Sequence, residues 1–482
     1  MYYNIHFILT QFAKHPIFLY NNFMSDILTK IKRLTLILGD IGVLYLSLYI
    51  TLLIRYQGID IKERWAQHLL PFSFIFAIWL LVFYISGIYS LQIARTNLIF
   101  YSVLLKSLTW CAALSMAFFY VIKPGIAPKT NLLIEFLVLI VLFVAWRQIF
   151  NLLVKIKPWQ NNVLIIGLNE ETLKLAREIN ASPQLGLKVV GVINEGKTKL
   201  EPNGILDVEI LNPPHSLPGL IKIKKIKTII TALNPHHNPE LVNKLYECIP
   251  LKIYFFDLPT FIEKFTGKIP VNSIGQIWFL ENLKESQKII YEIYKRAIDV
   301  VLALIILILT VPFLPILYLI VKLNSHGPFL FMQTRTGRLG KKFLAIKIRT
   351  MHKNSETNGP QWAIKNDPRV TRSGRFMRKT RIDEIPQLIN ILRGEMSFIG
   401  PRPERPEFIE KLEHKIPYYN ERLLVKPGLT GWAQVNFPYG SSEADAMEKL
   451  QYDLYYIKNR SAILDTSIFL KTIKTVLSGG GQ

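Results

Sequence analysis

The C-terminal half of the fold is decided by the stretch VVLALIILILTVPFLPILYLIV, residues 300–321. This apolar run is long enough to cross a hydrocarbon core of about 30 Å, but Pro312 and Pro315 interrupt its middle. Because proline inside a helix removes a backbone hydrogen bond and clashes with the preceding turn, we expect a bend near 311–315. Cations flank the run on both sides: Lys295, Arg296 and Lys322. If both ends prefer the same anionic surface, the segment enters and leaves the membrane on one side as a re-entrant hairpin; the alternative is a kinked full span.

Four upstream stretches also reach membrane-spanning length. They cover residues 34–54, 69–89, 98–122 and 132–150. Lys and Arg are more numerous in the flanks on the N-terminal side, so the N-terminus and everything beyond residue 150 are predicted to lie in the cytoplasm. Lys106 and Glu135 fall inside the third and fourth stretches, either as functional groups or as structural contacts between helices.

The composition of the whole chain excludes several classes of protein. It has 482 residues, 50% of them hydrophobic, which excludes a disordered chain and makes a wholly soluble protein unexpected. A net charge of +23 indicates anionic partners such as lipid headgroups or phosphorylated substrates, and no nucleic-acid motif accompanies it. Cys111 and Cys248 form no CxxC pair, which excludes a disulfide scaffold and structural zinc. Residues 1–23 lack a small-residue cleavage site, so no cleaved signal peptide is predicted, and Met24 is an alternative start.

The middle of the chain has the pattern of a parallel α/β domain. From Asn161 onward, short β-branched runs alternate with helical periods, as in a Rossmann-like fold. Its first turn, however, reads Leu168 to Thr172 after Gly167, where a dinucleotide-binding loop needs further glycines. We therefore expect no bound NAD, and a structural or regulatory role for this domain.

A pair of acidic residues follows a strongly basic segment. Twelve Lys and Arg residues lie between Lys341 and Arg381, so this segment is expected to lie on the membrane or to bind phosphates. Directly after it come Asp383 and Glu384, and then Pro386, which helices tolerate only in their first turn. Carboxylates at such a position can hold a divalent metal or attack phosphorus, although a simple helix cap is the alternative.

Several ordered motifs identify a family. They are Lys295-Arg-Ala-Ile-Asp299, the proline-broken run, Lys347-Ile-Arg-Thr-Met351, the Asp383-Glu384-Ile-Pro-Gln-Leu segment, Gly394-Glu-Met-Ser-Phe-Ile-Gly-Pro-Arg-Pro403 and Lys426-Pro-Gly-Leu-Thr-Gly-Trp432. From Lys295 to about Ser478 the chain resembles the bacterial sugar transferases, the monotopic phosphoglycosyltransferases. The upstream helices and α/β domain are similar to those of long-form members that act as undecaprenyl-phosphate glucose or galactose phosphotransferases in capsule and exopolysaccharide pathways.

The resemblance implies a role for each motif. Asp383 would attack the sugar-linked phosphate of a UDP-sugar, release UMP and hold the phosphosugar until undecaprenyl phosphate collects it. Glu384 would bind Mg²⁺ or Mn²⁺ together with Asp383, or manage protons. The implied substrate-binding residues are Lys347, Arg349, Arg375, Arg378, Gln387 and Arg402. The implied contacts with polyprenyl phosphate and the membrane are Lys295, Arg296, Asp299 and Pro312, of which Pro312 sets the bend.

Three positions depart from the family pattern. The usual Asp-Ser-Pro-Gly-Pro reads Asn324-Ser-His-Gly-Pro328, Arg381 replaces a serine, and the tail ends Ser478-Gly-Gly-Gly-Gln482 where relatives carry Arg and an aromatic residue. These changes concern substrate detail and terminal membrane contacts, and they leave the acidic pair intact.

The predicted architecture has three parts. Residues 1–155 form a four-helix transmembrane bundle, 160–270 a degenerate Rossmann-like cytoplasmic domain, and 285–482 an α-rich catalytic domain anchored by a re-entrant helix-break-helix near 300–322. The protein is placed in the bacterial inner membrane with its catalytic domain in the cytoplasm, bound to anionic lipid. Homo-oligomerisation and the identity of the sugar stay open.

Two other functions were weighed against this one. A membrane-anchored nucleotide-sugar dehydratase or epimerase would need a Tyr-x-x-x-Lys pair, but Tyr246 is followed four residues later by Pro250. A non-catalytic scaffold or regulator of polysaccharide export is the remaining alternative.

Overall fold

The computed structural model describes residues 16–57, 59–89, 98–122, 128–155, 161–181, 186–194, 209–212, 216–233, 238–283, 288–352, 367–437, 440 and 442–477. The chain divides into two compact units, Met1–Phe261 and Ile262–Gln482. Of the segments discussed above, residues 1–15, the basic positions within 353–366 and the tail 478–482 lie outside the described residues.

Four apolar helices open the first unit. They are α1 (Pro16–Tyr56), α2 (Ile61–Ser86), α3 (Leu98–Ile122) and α4 (Pro128–Lys155). Each contains a stretch long and apolar enough to cross a membrane, which confirms the four predicted stretches. Helix α2 begins about two turns before the predicted stretch, because Lys62, Glu63 and Arg64 continue the helix beyond its apolar part.

Buried polar contacts join α1 to α4. Arg147 donates a hydrogen bond to Asp40, with 2.6 Å between Nη2 and Oδ2, and both side chains are completely buried. Glu135 accepts hydrogen bonds from Ser47 at 2.6 Å and from Thr51 at 3.0 Å. Glu135 is therefore a structural contact between helices, one of the two alternatives for it, whereas Lys106 is exposed on α3.

The rest of the first unit is a parallel α/β domain. Its strands are β1 (Asn161–Ile166), β2 (Leu187–Ile193), β3 (Ile210–Leu211), β4 (Ile226–Thr231) and β5 (Tyr254–Asp257). They pair in the order β3-β2-β1-β4-β5, and all pairs are parallel. The helices between them are α5 (Glu170–Asn180), α6 (Leu217–Lys224) and α7 (Pro239–Tyr246). The predicted parallel sheet is thus confirmed.

The turn between β1 and α5 is closed by its own side chains. Gly167 has a φ of 101°, which favours glycine. Asn169 Oδ1 accepts a hydrogen bond from the backbone N–H of Thr172 at 2.7 Å, and Thr172 Oγ1 accepts one from the N–H of Asn169 at 2.9 Å. This capping box satisfies the backbone N–H groups of Asn169 and Thr172 at the start of α5.

The second unit contains the proline-broken run. After α8 (Leu258–Thr266) and α9 (Gln276–Asn282) come α10 (Ile289–Thr310), a single 3₁₀ turn (Val311–Phe313) and α11 (Leu314–Asn324). The helix therefore breaks where the sequence predicts it, at the prolines. The segment Ile289–Asn324 is a fifth stretch long and apolar enough for a membrane span.

The remainder of this unit is helical with two small sheets. β6 (Leu330–Thr336) pairs antiparallel with β7 (Lys342–Ile348), and β8 (Ser397–Ile399) pairs parallel with β9 (Gly428–Thr430). The helices are α12 (Arg372–Thr380), α13 (Gln387–Arg393), α14 (Pro406–Glu413), α15 (Trp432–Asn436), α16 (Glu443–Asn459) and α17 (Ala462–Leu477). Leu388 and Ile391 of α13 and Leu454 of α16 lie in the same core as Ala303 of α10, so α10 contacts this core at Ala303 while most of the apolar segment is exposed.

Candidate active site

The acidic pair lies in a tight turn between two helices. Helix α12 ends at Thr380, and Arg381 caps it with a left-handed φ of 57°. A 3₁₀ turn (Ile382–Glu384) follows at once, and Pro386 precedes the first residue of α13. Asp383 and Glu384 are only 6% and 5% exposed. The pair therefore lies just before a helix, as predicted, but it is buried and does not act as a cap.

Glu384 is held by cations from three separate segments. Its Oε1 accepts hydrogen bonds from Lys347 of β7 at 3.1 Å and from Arg402 at 3.0 Å. Its Oε2 accepts a hydrogen bond from Arg381 at 3.4 Å. Burial raises the pKa of Glu384, but these cations outweigh it and hold the pKa well below the ordinary value. Glu384 is thus a permanent anion that fixes the cations around the site.

Asp383 has a different environment from that of Glu384. Among the described residues, none donates a hydrogen bond to its carboxylate. Burial raises the pKa of Asp383 to about 6, and the adjacent Glu384 adds to the rise against the lowering effect of Lys347. Asp383 is therefore ionised at neutral pH and accepts no hydrogen bond from the described residues, which is the state that a nucleophile requires.

A second layer of charge fixes the loop of Arg402. Arg422 donates hydrogen bonds to the backbone oxygen of Arg402 at 3.0 Å and to Asp453 at 2.9 Å. Both Arg422 and Asp453 are buried. Sequence reasoning missed this pair, although Asp453 shares a helical face with the core residues Leu450 and Leu454, where a carboxylate is unexpected. The sequence analysis included Arg381 among the cations of the basic segment and noted it as a departure from a motif, but did not predict its contact with Glu384.

The predicted substrate-binding residues fall into two groups. Lys347 and Arg402 contact Glu384, and Arg378 acts electrostatically on Asp383 while its Nε donates to Thr350 Oγ1 at 2.9 Å. Gln387 is buried at the start of α13, one turn beyond the acidic pair. The structure places the other two elsewhere: Arg349 donates to the backbone oxygen of Ser325 at 2.7 Å, and Arg375 is exposed on α12.

Three residues of α10 that were predicted to contact the membrane or polyprenyl phosphate have partners within the second unit. Lys295 pairs with Asp465 at 2.8 Å. Arg296 donates to the backbone oxygens of Ile391 and Leu392, the last turn of α13. Asp299 accepts a hydrogen bond from the backbone N–H of Phe398 at 3.0 Å. Arg296 thus joins α10 to α13, the helix that follows the acidic pair, whereas Lys295 joins α10 to α17 and Asp299 joins it to β8.

Within the acidic pair, Asp383 fits the ligand set of a metal that is shared with a substrate. No cluster of three or more His, Cys, Asp or Glu side chains occurs among the described residues. Mg²⁺ commonly uses only one or two carboxylates, with substrate phosphates and waters as its other ligands. The oxygens of Glu384 are engaged by cations, whereas those of Asp383 are available.

The five apolar stretches and this cluster define a protein with membrane helices and a cation-rich site around two carboxylates.

The chain belongs to the bacterial sugar transferases. Residues 290–479 match the family described as bacterial sugar transferase, and residues 84–251 match the family described as CoA-binding domain. An uncharacterized sugar transferase of Haemophilus influenzae is 30% identical over 353 residues, which are 68% of this chain and 72% of that protein.

Two further relatives have more specific names. A UDP-N-acetylgalactosamine-undecaprenyl-phosphate N-acetylgalactosaminephosphotransferase of Aeromonas hydrophila is 40% identical over 49% of this chain and 55% of the relative. A UDP-glucose:undecaprenyl-phosphate glucose-1-phosphate transferase of Escherichia coli (strain K12) is 43% identical over 62% of this chain and 64% of the relative. The chain thus spans somewhat more than half the length of these two curated relatives.

Proposed function

We propose that this protein transfers a sugar 1-phosphate from a UDP-sugar to undecaprenyl phosphate and releases UMP. The contrast between the two buried carboxylates carries the proposal: Glu384 is neutralised by three cations, while Asp383 is ionised and unpaired. The names of the relatives support the two substrates, since both the Aeromonas and the Escherichia proteins are named for transfer to undecaprenyl phosphate.

The reaction proceeds through a covalent intermediate on Asp383. An Asp383 carboxylate oxygen forms a bond to the sugar-linked phosphorus, and the bond from that phosphorus to the bridging oxygen breaks, so that UMP leaves. The phosphate oxygen of the lipid then attacks the same phosphorus and displaces the carboxylate. Lys347, Arg378 and Arg402 offset the repulsion between the anions that must approach one another. Two half-reactions suit a water-soluble donor and a membrane-bound acceptor, because both need not be bound together.

Mg²⁺ or Mn²⁺ is proposed as the cofactor. Asp383 and the donor phosphates would hold the metal, which would supply neutralisation of the charge that develops on the phosphate oxygens. Glu384 accepts hydrogen bonds from Lys347 and Arg402 and so positions these two cations. We propose no role for NAD.

We further propose that α1 to α4 form a transmembrane bundle and that α10 and α11 form a re-entrant hairpin. Both ends of the Ile289–Asn324 segment contact the second unit, which supports entry and exit on the same side of the membrane. Near the start, Lys288 donates to the backbone oxygens of Ile457 and Lys458. At the end, Val321 packs against Met377. A folded unit lies on one side of a membrane, and the charge bias of the flanks favours the cytoplasmic side of the bacterial inner membrane.

The product would enter assembly of a cell-surface polysaccharide such as capsule, exopolysaccharide or O-antigen. Relatives named for glucose and for N-acetylgalactosamine both match, so the donor is best identified directly. Membranes containing the protein, undecaprenyl phosphate and Mg²⁺ are incubated with a panel of labelled UDP-sugars. We expect UMP release and transfer of label to the organic phase from one donor. No transfer from any donor by folded protein would overturn the proposal and favour the non-catalytic scaffold.

A further inference from the structure

The loop that brings Arg402 to Glu384 has an irregular backbone. It covers residues 399–404, and we call it the Arg402 loop; β8 ends at its first residue. Pro401 and Pro403 flank Arg402 directly, and their rings fix φ at both positions. The side chain of Arg402 is 40% exposed and donates a hydrogen bond to Glu384 at 3.0 Å. The position of this cation therefore depends on what holds the loop.

Two guanidinium groups hold consecutive carbonyl groups of the Arg402 loop. Arg422, in the 3₁₀ helix Tyr419–Leu424, donates to the backbone oxygen of Arg402 at 3.0 Å. Arg335 of β6 donates to the backbone oxygen of Pro403 at 3.1 Å. Arg422 is buried, and the side chain of Arg335 is 19% exposed. Hydrogen bonds from charged donors are stronger than neutral ones, so these two contacts restrain the loop firmly.

Backbone hydrogen bonds to neighbouring segments close the rest of the loop. They join Gly400 N–H to Thr430 O at 2.8 Å, Gly428 N–H to Pro401 O at 2.8 Å and Thr336 N–H to Glu404 O at 3.0 Å. A β-carbon on Gly428 would lie 2.1 Å from the backbone nitrogen of Gly400, so the two segments pack as closely as a glycine allows. Other segments thus hold the Arg402 loop along its whole length.

The choice of arginine at position 335 is electrostatically unfavourable for the protein alone. Burial lowers the pKa of Arg335, and repulsion from the neighbouring Arg402 lowers it as well, against the opposing effect of Glu404. An uncharged amide could donate the same hydrogen bond to Pro403 without this repulsion. An arriving phosphate would offset the repulsion, so the arrangement suits a site that binds an anion better than it suits folding.

We propose that Arg335 and Arg422 are positioning residues, which hold the Arg402 loop so that the guanidinium of Arg402 meets a substrate phosphate without rearranging. A cation that is already in place stabilises developing charge better than one that must reorganise during the reaction. The inference rests on the proposed function, in which Arg402 offsets the charge of the donor phosphates. Neither positioning residue needs to touch the substrate.

The first measurement tests whether the two side chains hold the loop. Arg335→Lys and Arg422→Lys keep the charge but replace a planar, multiple donor by one flexible ammonium group. Deuterium uptake at the amides of Gly400 and Gly428 is followed in the full chain in nanodiscs, and we expect it to be several-fold faster in both variants. Arg338→Lys is the matched control, because Arg338 in the turn after β6 also donates to a backbone oxygen, but outside the loop.

The second measurement uses the reaction. The charged groups that face Asp383 are Lys347, Glu384, Arg378 and Arg402. Burial raises the pKa of Asp383, and Arg402 is among the cations that lower it. A displaced Arg402 lowers it less, so the acid limb of kcat/KM should move to higher pH in Arg335→Lys. Turnover at neutral pH should fall about tenfold, because the cation is misplaced. Arg338→Lys should match the wild type in both respects.

Two results would overturn the proposal. One is unchanged deuterium uptake in the Lys variants, and the other is an acid limb that does not move to higher pH in a variant whose loop exchanges faster. Since Arg335 is partly exposed, its variant decides the matter even if Arg422→Lys fails to fold. Deuterium uptake needs no turnover. A wild-type protein that shows the expected uptake but transfers no sugar phosphate would refute the transfer reaction and leave the hold on the loop intact.

Discussion

The turn after β1 and the turn that carries the acidic pair both lead directly into a helix, yet they differ in how their polar groups are satisfied. In the α/β domain, Asn169 and Thr172 close the turn with contacts between neighbours in sequence. In the second unit, Glu384 is bound by cations that come from β7, from the end of α12 and from the loop after β8. The turn that follows β1 in the parallel sheet is thus closed by its own hydrogen bonds. The charged groups suited to phosphate chemistry lie instead around Glu384 in the second unit. If the proposed function is correct, the fold alone would direct attention to the turn after β1 and away from the acidic pair.

The largest effect that this comparison predicts is on turnover. Asp383→Asn should lower it by on the order of 10⁴-fold or more, because the amide cannot form the acyl phosphate. Quenched wild-type reactions should yield an Asp383 peptide carrying the mass of one phosphosugar, and the variant should not. The protein should remain in the membrane fraction. Normal turnover by Asp383→Asn would refute the nucleophile assignment.

The next effect is on stability. Substitution of Glu384 should destabilise the protein, whereas substitution of Asp383 should not. Glu384→Gln leaves three cations without their counter-charge, and we expect the free energy of unfolding to fall by about 2–3 kcal/mol after allowing for their partial exposure. Turnover should also be severely reduced. Asp383→Asn removes an unpaired buried charge and should leave the melting temperature unchanged or raise it. Thermal melts in the same detergent compare the two variants, and a loss of stability in both would contradict the contrast.

The pH dependence sharpens the same contrast. Since the pKa of Asp383 is raised to about 6, kcat/KM should fall about tenfold per unit as the pH drops below this value. Glu384 raises the pKa of Asp383, so the residual activity of Glu384→Gln should show its acid limb at lower pH. The measurement is a pH–rate profile from pH 4.5 to 8 for the wild type and for Glu384→Gln. An acid limb at the same pH in both proteins would show that Glu384 does not affect the pKa of Asp383.

The smallest effect belongs to the α/β domain. Asn169→Ala removes the cap of α5 and should cost about 1 kcal/mol of stability. Turnover should stay within about twofold of the wild type, because no step of the proposed reaction uses this turn. A collapse of turnover in a folded Asn169→Ala protein would show that the sealed turn takes part after all.

Hydropathy patterns predicted the fold well, because burial depends on local periodicity. The four apolar helices, the parallel sheet and the break at Pro312 were all visible in the sequence. The acidic pair and its partners Lys347 and Arg402 came from ordered motifs. The motifs did not predict the contacts of Arg349, Lys295 and Arg296, since a cation in a sequence does not reveal which distant oxygen it binds. Burial of Arg422 with Asp453 was equally hidden, because the two residues lie on different elements and meet only after folding.

The ion pair between Asp40 and Arg147 has a consequence for the order in which the protein is made. These residues are 107 positions apart, so the first helix leaves the ribosome long before its partner exists. At about 5–20 residues per second the interval is roughly 5–20 s. During that time Asp40 has no counter-charge from Arg147, and a lone carboxylate opposes stable residence of α1 in lipid. We therefore expect stable insertion of α1 to depend on the arrival of α4, so that these helices would enter a bilayer as a group and not one at a time.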